Sequence, residues 1–199
     1  YAQALDRLRE MDLVYPCFLT RAELAEVLSA PHEPPTATDV VLSAEEAARR
    51  AGSGMAPAWR LRTAKALELA ESPTWLDLRT GCRRSLDMSA HGDVIVARRD
   101  IRTSYHLSVV VDDMIDGVTL VTRGMDLEDS THVHRLLQAI LEIPAPAYYH
   151  HDLVCDEDGQ RLAKRHDALS ISELRQSGLS ATEILSYLPD YAESALISS

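Results

Sequence analysis

The run from Gly92 to Val154 most constrains the fold of this 199-residue chain. β-rich stretches alternate there with helical ones, and the connections are short. Gly92 to Arg98 (GDVIVAR) reads as a strand. Thr103 or Ser104 can cap the helix that follows, and Gly117 stops it. Gly117 to Arg123 (GVTLVTR) reads as a second strand. Ser130 or Thr131 can cap a second helix, in which Val133, Leu136, Leu137, Ile140 and Leu141 form one apolar stripe. Pro144 and Pro146 end it, and Tyr148 to Val154 reads as a third strand. This is the pattern of parallel βαβ units, as in half of a doubly wound nucleotide-binding sheet. Ligands of such sheets sit at the carboxyl ends of the strands. The rule points to Arg99–Tyr105, Arg123–Asp126 and Cys155–Arg165.

The flanks are less regular. Residues 1–30 read as helical, with Leu5, Leu8 and Met11 in register and a break at Tyr15 to Phe18. Pro31, Pro34 and Pro35 mark residues 31–42 as a loop. Ala44 to Ala51 favours helix, whereas Trp59 to Leu61 and Thr74 to Leu78 favour short strands. Two short helices are expected over Ser170–Gly178 and Ser180–Leu188, each opened by Ser with a nearby Glu. The expected organisation has three parts. Residues 1–91 form a helical connecting region, 92–155 half of a doubly wound α/β domain, and 156–199 a basic loop with C-terminal helices.

Composition narrows the function classes. The chain is 46% hydrophobic and 26% charged, as expected of a soluble globular protein, and has no run long enough to span a membrane. Its net charge is −11, so it has no overall attraction for nucleic acid. An RNA partner would have to meet a local patch. The candidates are Arg49-Arg50, Arg83-Arg84, Arg98-Arg99 and Arg161 with Lys164-Arg165, and each pair reads equally well as solvated surface. Cys17, Cys82 and Cys155 are odd in number and widely spaced, which argues for free thiols in a reducing cytoplasm.

Three motifs could carry chemistry. Arg161-Leu162-Ala163-Lys164-Arg165 follows the turn Asp156–Gly159 at a strand end, where clustered cations suit phosphate chemistry. Basic pentapeptides are common, so a solvated loop is the stronger reading of those five residues alone. Tyr105 and Arg123 occupy equivalent places at adjacent strand ends. An Arg there can bind a carboxylate bidentately, and a phenol can orient an amino group. The structural alternative pairs Arg123 with Asp112, Asp113 or Asp126 and packs Tyr105 on the sheet. Asp112-Asp113 diverge on a helix and form no dyad. His132 and His134 cannot share a ligand face, and His150 and His151 point to opposite sides of a strand; a structural role is the default for all four. No HExxH, paired-Cys zinc finger, P-loop, GxGxxG or GxSxG motif is present.

Taken together, these pieces resemble the glutamate-specific class I aminoacyl-tRNA synthetases. The segments are SYHLSVVVDD (Ser104–Asp113), VTRGMDL (Val121–Leu127), DSTHVHRLLQ (Asp129–Gln138) and RLAKR (Arg161–Arg165), in the family's order and spacing. YPCFLTRAEL (Tyr15–Leu24) and AWRLR (Ala58–Arg62) also match, so the likeness covers nearly the whole chain. It looks closest to the short glutamyl-Q paralogues. The resemblance implies a Rossmann-type α/β catalytic domain that activates L-glutamate with ATP and Mg, and passes it to the queuosine of tRNA(Asp). It also implies that residues 1–91 are an insertion and 92–155 the later half of that domain. RLAKR is similar to the family's KMSKS loop, which puts Arg161, Leu162, Ala163, Lys164 and Arg165 at ATP, with Lys164 catalytic. Tyr105 would take the amino group of glutamate and Arg123 its side-chain carboxylate. A cytoplasmic monomer with no membrane association is expected.

There are three departures from the family. The HIGH-like signature would lie upstream of Tyr1, so the chain reads as a fragment expected to be inactive alone. The family's CxC pair reads Cys17-Phe18-Leu19 here, and Pro35 and Asp39 stand where it has Tyr and Cys; zinc is therefore not expected. The chain ends at Ser199 with no anticodon-binding domain, which fits the short paralogue. The alternatives are a fragment of a glutamyl-tRNA synthetase and a degenerate, non-catalytic binding module.

Overall fold

In a computed structural model of the chain, the residues described are 1–20, 23, 42–153 and 170–186. They form two sheets and seven helices. Helix α1 (Ala2–Glu10) leads into β1 (Val14–Cys17). Then come α2 (Ala44–Gly52), β2 (Ala58–Leu61), α3 (Thr63–Leu69), β3 (Thr74–Asp77), β4 (Cys82–Ser85) and β5 (Ile95–Ala97). Next are α4 (Tyr105–Ile115), β6 (Leu120–Gly124), a short 3₁₀ turn (Met125–Leu127), α5 (Glu128–Ile140) and β7 (Ala147–His151). Helices α6 (Ile171–Gln176) and α7 (Ala181–Ser186) close the described chain.

The larger sheet has the order β4-β3-β7-β6. β3, β7 and β6 run parallel, and β4 is an antiparallel edge hairpin on β3. β6, α5 and β7 make one βαβ unit, as the alternation predicted. The first predicted strand behaves differently. β5 is only three residues long and pairs antiparallel with β2, in a separate sheet of order β1-β2-β5. The local pattern of Gly92 to Arg98 cannot reveal this, because an apolar strand reads alike in both sheets. Residues 1–91 are mixed rather than helical, since β1 to β4 all lie there. The second part of the helix expected over residues 1–30, and the loop over 31–42, fall almost wholly outside the described residues.

Helix α4 starts and stops where its sequence dictates. The Ser104 hydroxyl accepts from the Leu107 N–H at 3.3 Å. At the other end Gly117 has φ 65°, and the Val118 N–H returns to the Asp113 carbonyl at 2.8 Å. Helix α5 starts earlier than predicted, because the 3₁₀ turn feeds into it directly at Glu128. Ser130 and Thr131 are therefore inside the helix. Ser170 makes the full capping box with Glu173 that opens α6.

One apolar cluster joins Leu8, Leu13, Val14, Leu61 and Val96 to Leu107, Val110 and Val111 of α4 and to Val133, Leu136 and Leu137 of α5. It runs across residue 91. Asp93, buried, ties the same region together: it accepts from the Tyr15 hydroxyl and the Thr63 N–H, both at 2.9 Å. The cluster holds α4 and α5 against the smaller sheet, and Gln138 of α5 donates to the Tyr148 hydroxyl of β7 in the larger one at 3.0 Å. Leu136→Ala is expected to cost about 2–5 kcal/mol through lost burial and a residual cavity. Urea denaturation would show this as a lowered midpoint with an unchanged slope.

Candidate active site

The carboxyl end of β6 delivers Arg123 into a half-buried setting. Four side chains from three elements accept its N–H groups. Tyr105, the first residue of α4, takes Nη1 on its hydroxyl at 3.4 Å. His134 of α5 takes Nη1 on Nδ1 at 3.2 Å. Thr131, one helical turn earlier, takes Nη2 on its hydroxyl at 2.6 Å. His150 of β7 takes Nε on Nε2 at 3.3 Å. The guanidinium also lies over the Tyr148 ring, 5.4 Å from its centroid.

Arg123 is always a donor, and this assigns the hydrogens around it. His134 Nδ1 must be an acceptor, so its hydrogen sits on Nε2. That nitrogen is 3.1 Å from His106 Nδ1 and donates to it. The Thr131 hydroxyl accepts from Arg123 and so directs its hydrogen to His150 Nε2, 3.0 Å away. The His150 hydrogen is then on Nδ1, a buried atom with no partner among the described residues.

The rings are held neutral. His134 is 2% exposed, and burial, then Arg123, then His106 lower its pKa to about 2. Burial, His91 and Arg123 lower that of His106. Burial and Arg123 act in the same direction on His150. The result is a single positive charge in a cage of neutral acceptors. Among the described residues no carboxylate forms an ion pair with Arg123; Asp112, one suggested partner, instead accepts from the Tyr1 hydroxyl at 2.8 Å. Such a charge can take an external anion, and a carboxylate suits its geometry.

The floor of the site is aromatic. Trp75 of β3 meets Tyr148 and His150 edge-on at 5.7 Å each, and Tyr148 and His150 stack in parallel planes. A Cβ at Gly124 would meet the end of the Asp126 side chain, which would have to rotate away, and would touch Leu153.

Tyr105 and Arg123 were singled out from the sequence, and they meet. Arg161, Leu162, Ala163, Lys164 and Arg165 lie outside the described residues. Thr131, His134, His150 and His106 were not assigned to the site. His132, by contrast, has a separate role: its Nδ1 accepts from the Asp87 N–H at 3.1 Å. The signal that could have found the cage is the spacing of Thr131 and His134, which puts both on one helix face directly after an Arg-bearing strand.

Most of the basic pairs are paired internally. Arg49 and Arg50 bind Glu46, Arg50 also binds Glu23, Arg84 bridges Asp77 and Glu128, and Arg98 binds Asp100. Cys17 is buried and Cys82 exposed, both as free thiols. Positions 35 and 39 of the zinc-like segment lie outside the described residues. Among the described residues no helix is long and apolar enough to cross a membrane.

Arg123 and Tyr105 thus meet at the carboxyl end of a parallel strand, the place to which the sequence pattern pointed. The family of class I tRNA synthetases (E and Q), catalytic domain, matches residues 1–191. The chain belongs to that family. Among similar synthetases, the glutamyl-Q tRNA(Asp) synthetase of Rhodobacter capsulatus is 39% identical over 196 residues, covering 92% of this chain and 69% of the relative. That of Nitratidesulfovibrio vulgaris is 38% identical over 193 residues, covering 94% of this chain and 58% of the relative. The chain thus spans between about three-fifths and two-thirds of the length of these synthetases. A solved glutamate tRNA ligase from Elizabethkingia meningosepticum, in complex with its amino acid, superposes with a TM-score of 0.64 at 20% identity. It covers 90% of this chain and 36% of its own, a likeness of fold.

The neutral imidazoles predict how stability depends on pH. Folding lowers the pKa of His106, His134 and His150 below the ordinary 6.5. Below pH 6.5 the unfolded chain therefore binds more protons, and stability falls as pH drops. His134 alone contributes on the order of 2 kcal/mol of loss between its unfolded pKa and about pH 5. Urea titrations at several pH values would reveal the slope, and a flat profile over that window would rule out a neutral His134.

Proposed function

We propose that the protein activates glutamate with ATP and transfers the glutamyl group to the queuosine base of tRNA(Asp). The observation that supports this most is Arg123 in its cage of neutral acceptors. A glutamate side-chain carboxylate is the anion that such a site would select, with Tyr105 beside it for the amino group. The names of the similar synthetases supply the tRNA substrate.

In this reading the glutamate α-carboxylate attacks the α-phosphorus of ATP. An acyl–phosphate bond forms, and pyrophosphate leaves with the electron pair. Lys164, with Arg161 and Arg165, stabilises the charge gathering on pyrophosphate, and Mg bound with ATP would supply further charge compensation there. A nucleophile of the queuosine base then attacks the activated carbonyl and releases AMP. The buried, aromatic floor under Arg123 keeps water from the carboxylate contact and so strengthens it. Leu19 cannot ligate metal where the family has a second thiolate, so the reading includes no zinc. The protein acts as a cytoplasmic monomer in this reading, and activity needs the family's HIGH-like signature together with these residues.

Glutamate-dependent ATP–pyrophosphate exchange by the full-length protein tests the first step. Arg123→Lys is expected to raise the KM for glutamate roughly tenfold or more, because a point charge does not replace the planar fork. Lys164→Ala is expected to lower exchange by about a hundredfold. Exchange that ignores both substitutions would sink the assignment. Charging of tRNA(Glu) in place of queuosine-bearing tRNA(Asp) would overturn the transfer step.

A further inference from the structure

We propose that His134 is a positioning residue for carboxylate recognition: its Nδ1 clamps Arg123, and its Nε2–H is held by His106. This inference rests on the glutamate-pocket reading above. It adds a chain of two imidazoles that sets the orientation of the arginine and runs from the pocket through α5 to the first turn of α4.

The guanidinium has five N–H groups, and four are engaged. The Nε and Nη2 side is fixed by His150 and Thr131, which also bond to each other. The Nη1 side has two acceptors of different character. Tyr105 is 48% exposed and accepts over 3.4 Å, the longest of the four contacts. His134 is buried and accepts over 3.2 Å. An incoming carboxylate can displace the weaker, exposed phenol and leave the buried imidazole in place. That leaves one N–H on Nη1 and one on Nη2 for the two carboxylate oxygens.

The chemistry of His134 fits this task. A carboxylate at that place would neutralise Arg123 and repel the substrate. An apolar group would leave a buried N–H without a partner. A neutral ring accepts from Arg123 only through an unprotonated Nδ1, and a donor such as His134 Nε2–H needs an acceptor of its own. His106 supplies it at 3.1 Å. His106 also lies 5.5 Å from the Tyr105 ring, and His134 lies 5.4 Å from it, so the same pair frames the phenol. The charged or titratable groups facing the chain are Arg123 from β6, Tyr105 from α4 and, towards His106, His91.

Two measurements test the proposal. The first compares steady-state glutamate KM and kcat in the exchange assay for the full-length protein, His134→Phe, His134→Asn and Arg123→Lys. His134→Phe is expected to raise KM roughly tenfold or more with kcat changed far less. His134→Asn, whose amide oxygen can replace Nδ1 as acceptor, should recover most of the loss. A normal KM in folded His134→Phe, beside a raised KM in Arg123→Lys, overturns the positioning role and leaves the pocket standing. A normal KM in Arg123→Lys removes the pocket and the positioning role together. The second measurement needs no variant to fold: ring-nitrogen NMR of His134 in the wild-type protein. A neutral ring with its hydrogen on Nε2 supports the proposal, and a charged ring or one with its hydrogen on Nδ1 overturns it.

Discussion

Arg123 keeps its positive charge at every accessible pH, and the surrounding structure is arranged around that fact. A half-buried guanidinium needs acceptors for its hydrogens. It receives neutral ones from α4, α5 and β7, none of which removes its charge. Three elements must meet at one strand end for this to happen. The βαβ unit makes the meeting possible, because β6 and β7 are adjacent and parallel, and α5 begins immediately after β6.

The rest of the fold serves this geometry at a distance. The apolar stripe of α5 seats the helix on a cluster that reaches α1, β1 and β5. Its opposite side turns Thr131 and His134 towards Arg123. Helix α4 is fixed in rotation by Leu107, Val110 and Val111, which leaves Tyr105 and His106 at its open end. The cage is therefore only as precise as the packing of two helices. Membership of the class I tRNA synthetase family gives the arrangement a chemical context, and the neutral cage gives it a physical one: a charge that none of its acceptors neutralises.

The sequence and the structure divide over individual residues. Ser104, Gly117 and Ser170 could be assigned in advance because capping depends on neighbours within a turn. The apolar spacing of Val133, Leu136, Leu137 and Ile140 likewise reports a local period. Ser130 and Thr131 show where local logic fails. Both look like caps, yet Thr131 lies inside the helix, where its hydroxyl bonds to Arg123 and His150. The helix begins at Glu128 straight after the 3₁₀ turn, so neither residue stands at its start.

The sequence by itself determined the alternation of strands and helices and the ends of α4, since each rests on short-range pattern; Tyr105 and Arg123 stood out by their place at adjacent strand ends, and the family resemblance gave them an expected role. Tertiary structure decided three other things. It put β5 in a second, antiparallel sheet, because strand partners are chosen by distant residues. It turned His134 and His150 from unassigned core histidines into partners of Arg123, because a side chain's hydrogen-bond partner is set by three-dimensional proximity. It also fixed the tautomers of His106, His134 and His150, because only the assembled network says which nitrogen faces a permanent donor.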